Sequence, residues 1–304
     1  LAAWPGFARQ LKELSGIDVA LDQSGGYEFF TDSAEMAGFA AQLEQQAAHL
    51  NDRASFEILT GDDLRSQLGG IGPKVVGASF SPRDGHVNPL RFLRALRCSV
   101  HVLGGCVTMG ATVSTITPQP DGGFLLTLAN GQSLGAEIVV LCAGLGSTAL
   151  ARGLGFETQV RPQRGELLIT EKLGDRLPFL SSTIRQVDEG GIQIGGTKAE
   201  TGMDDSESLD VMAGLARHAV TVFPALEGVR VVRAWGALRV MSPDGYPVYA
   251  KSAAHPGAFL VTCHSGVTLA PLHASVLAEW ILNTSPTPDM EAFDERRFAL
   301  SHAA

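Results

Sequence analysis

Two short apolar runs, Ile138–Ala143 and Ala258–Cys263, each pass directly into a glycine-containing loop and then into a helical pattern. A continuous apolar run of this length reads as a strand covered on both faces of a mixed or parallel sheet. A strand that ends in a Gly-rich loop and a helix leads to a layered α/β architecture. Neither run is long enough to cross a bilayer, and no signal peptide is recognisable. With 45% hydrophobic and 18% charged residues in 304, the chain has ample material for a core and is not a disordered sequence. The acids outnumber the bases 32 to 23, so a basic nucleic-acid surface is not expected. Four cysteines, Cys98, Cys106, Cys142 and Cys263, show no paired ligand spacing. They predict neither a disulfide framework nor a metal site, and Cys142 and Cys263 read as small buried residues ending their strands. A reducing, cytoplasmic setting follows as an expectation.

Around these runs the pattern alternates hairpins with strand–loop–helix units. Trp4, Phe7, Leu11 and Leu14 fall at helical spacing, with no N-cap before them. Tyr27–Phe30 is a strand, followed by a helix capped at Thr31 or Ser33 with a stripe of Met36, Phe39, Ala40, Leu43, Ala47 and Leu50. Phe56–Leu59 and Val75–Ser79 are strands, and Thr60 caps a short helix over Asp62–Leu68. Asn88-Pro89 is a cap and first-turn proline for a helix through Leu90, Leu93, Leu96 and Val100. Strands are predicted at Cys106–Met109, Val113–Thr117, Phe124–Ala129 and Gln132–Leu134, the last two joined by an Asn130-Gly131 turn. Further strands are Glu166–Thr170, Thr183–Val187, Ile192–Gly195, Val229–Trp235 and Tyr246–Tyr249. A helix opening at Ser206 or Ser208 presents Leu209, Met212, Ala213, Ala216, Ala219, Val220 and Phe223, and a last helix runs from Thr268 to Asn283.

Three segments could carry chemistry. Gly144-Leu145-Gly146-Ser147-Thr148-Ala149 is a GxGxxA between a strand and a helix, the setting of a dinucleotide-binding turn. A primary nicotinamide site also needs an acid ~20 residues on, at the end of a second strand. Glu166 is near that distance but begins a strand, so a tightly packed turn or a secondary cofactor contact remain open. The second segment, Thr262–Thr268, is a loop and helix start whose N–H groups suit a phosphate, a carboxylate or the pyrimidine edge of a flavin. An ordinary loop with His264 at its rim is the alternative. In the third, Arg233–Arg239, two arginines stand in an apolar stretch. Arg239 could fork onto a carboxylate or form a structural ion pair. No GxSxG, HExxH or Walker pattern occurs.

Four segments in order, Asp84–Pro89, Ile138–Ser147 (IVVLCAGLGS), Trp235–Pro247 (WGALRVMSPDGYP) and Ala258–Pro271 (AFLVTCHSGVTLAP), resemble the FAD-dependent D-amino-acid oxidase superfamily. The similarity is to its glycine oxidase, sarcosine oxidase and D-amino-acid dehydrogenase branch. Arg161–Glu171 also resembles the beta subunits of hydroxyproline and opine dehydrogenases. The resemblance implies a Rossmann-like FAD/NAD(P)-binding domain interleaved with an antiparallel-sheet α+β substrate domain. The expected division is 1–23, 83–155 and 240–304 for the first and 24–82 and 156–239 for the second. The family's opening GxGxxG unit has no counterpart after Leu1. The chain is therefore expected to be a fragment truncated at its N-terminus that binds FAD weakly or not at all.

The resemblance further implies oxidation of the C–N bond of a small amino acid (a D-amino acid, glycine, or a secondary amino acid such as hydroxyproline) by hydride transfer to flavin N5. Arg239 matches the arginine that holds the substrate carboxylate. Val113 matches the strand beside the adenine, and Ala143 and Gly144 the turn near the cofactor. His264, Ser265, Gly266, Val267, Thr268 and Leu269 match the loop and helix start at the flavin pyrimidine. Thr183 stands where the family often has a tyrosine, so Arg185 or His264 is expected to assist with the carboxylate. Partner subunits of a dehydrogenase complex are a further expectation. A non-catalytic scaffold subunit and a nicotinamide-dependent dehydrogenase are the competing readings.

Overall fold

The structure, a computed structural model, describes residues 1–49, 55–284 and 289–300. In chain order it carries α1 (Trp4–Ser15), β1 (Gly26–Phe30), α2 (Ser33–His49), β2 (Glu57–Thr60), α3 (Gly61–Leu68), β3 (Gly77–Ser81) and α4 (Pro89–Val102). Then come β4 (Val113–Pro118), β5 (Phe124–Leu128), β6 (Ser133–Ala136), β7 (Val139–Leu141) and the short α5 (Ser147–Ala151). They are followed by β8 (Arg161–Lys172), β9 (Ile184–Gln186), β10 (Gly191–Gly195), α6 (Leu209–Val222) and β11 (Val231–Met241). The described chain closes with β12 (Val248–Lys251), β13 (Ala258–Thr262), α7 (Gly266–Leu272), α8 (Ala278–Leu282) and the one-turn α9 (Arg297–Leu300). Among the described residues no helix is long and apolar enough to cross a membrane.

The chain divides into two interleaved compact units. Unit 1 comprises residues 1–105, 164–199 and 204–237, and unit 2 comprises 106–163, 200–203 and the chain from 238 onward. Segments 1–23 and 83–105 thus lie in unit 1, a different division from the expected one. Local packing accounts for this. Trp4 of α1 meets Phe92 of α4 edge-on at 5.3 Å, and Asp22 bridges His86. Asn88, beyond that bridge, donates to Asp188 and Glu189 at the β9–β10 turn.

Unit 1 contains an antiparallel sheet ordered β1-β3-β2 and most of a four-stranded sheet ordered β11-β8-β10-β9. Its core joins Leu64, Ile184, Ile192 and Val222, none of which exposes measurable surface, to Phe29, Ala78 and Leu168. Helix α6 buries Leu215, Ala219 and Val222, while Leu209 is 83% exposed and Ala213 also faces out. Met212, Ala216, Val220 and Phe223 of the expected stripe pack against this core with Ala219, and the stripe differs from expectation at Leu209 and Ala213, whose place is taken by Leu215 and Val222. On α4 the buried face is rotated from the expected one: it buries Phe92, Ala95 and Ser99 and leaves Leu90, Leu93 and Val100 exposed. On α2 the expected stripe is the half-buried one at Met36, Phe39, Ala40, Leu43 and Ala47, while Leu50 lies outside the described residues. The α2 cap is Asp32, whose Oδ1 accepts from the Ala34 and Glu35 N–H groups, instead of Thr31 or Ser33.

Unit 2 contains a meander of β4, β5 and β6 and a sheet ordered β12-β13-β7. Gly131, at φ +84°, makes the predicted hairpin turn between β5 and β6. Cys106–Met109 forms no strand. Strands β7 and β13 run parallel, with Val139 opposite Ala258 and Leu141 opposite Leu260. Val139, Leu141, Ala258 and Leu260 are buried together with Phe124 and Leu154. Strand β7 is covered on one face only within this unit, since Val140 and Cys142 are exposed.

Candidate functional site

Parallel neighbours end at the same edge of a sheet, so pairing β7 with β13 brings the Ala143–Gly146 turn and the Cys263–Gly266 loop side by side. Such carboxyl-end edges are where open α/β sheets bind ligands. The first turn begins at Gly144, which adopts φ +57°. A Cβ there would stand 3.2 Å from Val240 Cγ2, so the turn packs against the end of β11, next to Arg239. The turn opens a 3₁₀ segment at Gly144–Gly146 and then α5. Glu166, the acid a nicotinamide fingerprint would need, is buried in unit 1. Its Oε2 accepts from the Ser208 N–H at 2.7 Å, at the start of α6. It is a structural residue, and the nicotinamide reading loses its ribose partner.

The second loop leads into α7, which begins after Ser265 with no side-chain cap. The first N–H groups of a helix lack intrahelical acceptors, and the helix dipole makes that end partly positive. The helix continues through a π turn at His273–Leu277 into α8, where Trp280 meets the Phe259 ring at 5.4 Å. His264 is exposed, with its Nδ1 3.2 Å from Ser265 Oγ. Behind this edge Tyr249 Oη lies 2.8 Å from His273 Nε2. Burial pushes the Tyr249 phenol up and the His273 imidazole down, so both are neutral near pH 7.

A cavity of about 510 Å³ opens on the β7 side of this edge, lined by Val113, Leu126, Val140, Ala143 and Gly146. It brings together residues expected from separate parts of the sequence, Val113 from β4 and the Ala143 turn. Its apolar walls and glycine-lined rim fit a planar heteroaromatic group, and the uncapped α7 start fits an electron-rich edge. The donor set is thus compatible with FAD. Arg239 is half-buried on β11, where Arg233 stacks over the Trp235 ring at 5.3 Å.

Arg185 belongs to unit 1. It lines a second cavity of about 720 Å³. Sequence reasoning does not connect it to His86, which lines the same cavity but reads in sequence only as part of a capping loop.

The chain matches the family model described as "DAO: FAD dependent oxidoreductase" over residues 1–280. It is 39% identical over 301 residues to an opine oxidase subunit of Agrobacterium tumefaciens (strain Ach5), covering 99% of this chain and 81% of that protein. Glycine oxidase of Pseudomonas putida is 25% identical over 293 residues, covering 94% of this chain and 78% of the relative. In fold, the chain is similar to the crystal structure of glycine oxidase from Geobacillus kaustophilus. The TM-score is 0.87 at 22% identity, over 96% of this chain and 80% of that one.

Proposed function

Because the chain belongs to the FAD-dependent oxidoreductase family of that match, we propose that it oxidises the carbon–nitrogen bond of a small amino acid. The observation that carries this reading is the β7–β13 parallel pair, which sets two glycine-containing loops on one edge, the Ala143–Gly146 turn lining an apolar cavity. Val113, Ala143 and Gly144 would line the cofactor, and the loop from His264 to Thr268 with the α7 start up to Leu269 would meet its pyrimidine edge. FAD, when bound, supplies the acceptor for two electrons and the substrate Cα hydrogen.

The chain's own contribution is binding and orientation. Arg239 would grip the carboxylate through its planar fork, which restricts rotation of the substrate. The partial positive charge of the α7 start would stabilise negative charge developing at the cofactor edge. The amine must be neutral when the Cα–H bond breaks. Water then hydrolyses the imine product.

The 39% identical relative is named as a subunit, which supports a second, compatible proposal that this chain works beside a partner protein.

The test is a flavin absorbance spectrum of the purified full-length protein, followed under a panel of amino acids, with steady-state kinetics of its Arg239 variants. Arg239→Ala is expected to weaken substrate binding by about 2–5 kcal/mol, seen as a steep rise in KM with slower turnover and unchanged flavin content. Arg239→Lys recovers only part, because one ammonium does not reproduce the fork. A wild-type preference for the decarboxylated amine would refute the carboxylate anchor.

A further inference from the structure

Residues 289–300 meet the rest of unit 2 across a narrow crevice that contains two buried oxygens without a hydrogen-bond partner, Glu295 Oε2 and Thr262 Oγ1. Thr262 is 5% exposed and ends β13, directly before the Cys263–Gly266 loop. Val160, Ser242, Val248, Leu260 and Phe298 wall the crevice, which has no room for a water molecule. A buried polar atom left without a partner is costly. With water shut out, each oxygen has the other as its available partner. The threonine hydroxyl can bond the carboxyl in either charge state, so the cost of burying the charge decides which state the crevice favours.

The cations beside Glu295 are engaged by other acids. Arg296 Nε lies 2.8 Å from Asp294 Oδ1. Arg297 forks onto Asp244, with Nε 2.8 Å from Oδ2 and Nη2 3.0 Å from Oδ1. Among the described residues Glu295 has no ion pair of its own. Its Oε1 accepts from the Glu157 N–H at 2.9 Å, which favours the charged form. Asp294 and the Glu157 carboxylate face it with like charge, Arg296 opposes them, and the remaining lining of the crevice is uncharged. Burial, the largest influence, pushes the Glu295 carboxyl above the ordinary glutamate value. A raised folded-state value means that the neutral carboxyl favours docking. The contribution is complete below the unfolded value and is lost as pH rises through the folded one.

We propose that residues 289–300 form a pH-sensitive strap on unit 2, latched by Glu295 against Thr262. The neutral carboxyl seats in the crevice and steadies the Cys263–Gly266 loop. The ionised carboxylate turns out to water and loosens both. The strap stays attached in either state, because Phe298 is 6% exposed in the unit 2 core and Arg297 keeps its grip on Asp244. The device lies wholly within unit 2 and does not rest on the amino-acid oxidation proposed above.

Hydrogen exchange of the whole chain at pH 5 and pH 7, corrected for intrinsic amide rates, tests it on peptides covering 289–300 and 262–268. In the wild type, protection in both should fall roughly threefold or more between pH 5 and pH 7. Glu295→Gln can bond Thr262 through its amide and still accept from the Glu157 N–H. It should match the wild type at pH 5 and keep that protection at pH 7. The histidines of the fold are common to both proteins, so their opposite dependence cancels in the comparison. Thr262→Val should lower the protection of 289–300 at pH 5 toward the wild-type value at pH 7. In the wild type, carbon-13 NMR should show the Glu295 carboxyl titrating above the ordinary value of about 4.3. This measurement keeps the test decisive if a variant fails to fold. Protection that does not fall with pH in either peptide, the same fall in Glu295→Gln, unchanged protection in Thr262→Val, or a Glu295 carboxyl titrating at or below the ordinary value would each overturn the proposal.

Discussion

At the scale of single residues, the candidate site depends most on Gly144. Its φ of +57° is a conformation that side chains with a Cβ adopt at a cost, and the space its Cβ would need is bounded by Val240. Gly144→Ala is expected to cost about 1–2 kcal/mol, from the left-handed backbone and the contact together. A drop in thermal midpoint measures this, and flavin titration should show weaker binding in the same variant. Unchanged behaviour in both would mean that the turn relaxes freely. Gly144 is legible in the sequence because a strand, a Gly-x-Gly and a helix follow one another without a gap. His86 is not, because its cavity is completed by β9, about 100 residues later, and no local pattern announces a partner so distant. Arg185 stands out only through the resemblance. Nothing in a short strand tells whether its arginine faces an acid, and here it faces Gln193.

Among the elements, helix starts are legible and helix faces less so. Thr60 caps α3 in a reciprocal box with Asp63, and Asn88 Oδ1 accepts from the Leu90 and Arg91 N–H groups at 3.1 Å. Caps are local chemistry, so sequence places them to within a residue or so, as at α2, where Asp32 caps between the two expected residues. Which face of α4 is buried depends on where Trp4 packs, and apolar residues on both sides leave the period ambiguous. The Asn88 cap leads to a sharper prediction. As a cap, Asp equals Asn. Here, however, Asn88 Nδ2 also donates to Asp188 Oδ1 at 2.8 Å and to Glu189 at 3.0 Å. Asn88→Asp keeps the cap, removes the donor and sets a third carboxylate against two. It is expected to destabilise by about 1–3 kcal/mol, at least as much as Asn88→Ala. The excess over alanine should shrink in high salt, because Asp188 and Glu189 are partly solvent-exposed. Denaturant midpoints at low and high salt decide it. An Asn88→Asp protein as stable as the wild type would remove the carboxylate contacts from the account.

Across the whole molecule, the alternation of hairpins with strand–loop–helix units foretells interleaving, and the chain does pass between its two units several times. The boundaries are less legible, because α1 and α4 are assigned by packing against each other and not by any composition shift. Both units share one electrostatic property that sequence could not give, namely histidines held neutral by burial. His86 and His218 in unit 1 and His273 in unit 2 all have pKa values below the ordinary 6.5, with burial as the largest cause. Only Glu28 near His218, and Asp22 and Asp188 near His86, oppose this. A lowered folded-state value means that the unfolded chain takes up protons first as pH falls. The contribution to stability is therefore complete above about pH 6.5 and is lost as pH drops through the window below it. One uncompensated histidine sets a limit of ~1.4 kcal/mol per pH unit, and residual hydration of these half-buried rings brings the slope below it. Asp84 and Glu295, raised by burial, act in the opposite sense at lower pH. The thermal midpoint should therefore hold level from pH 8 to 7 and fall between 6.5 and 5.5. His218→Gln, which can still bond Thr183 Oγ1, should flatten part of that fall. If the midpoint does not move across the window, or if the slope survives replacement of each of the three in turn, the buried neutral histidines are not what couples this fold to acid.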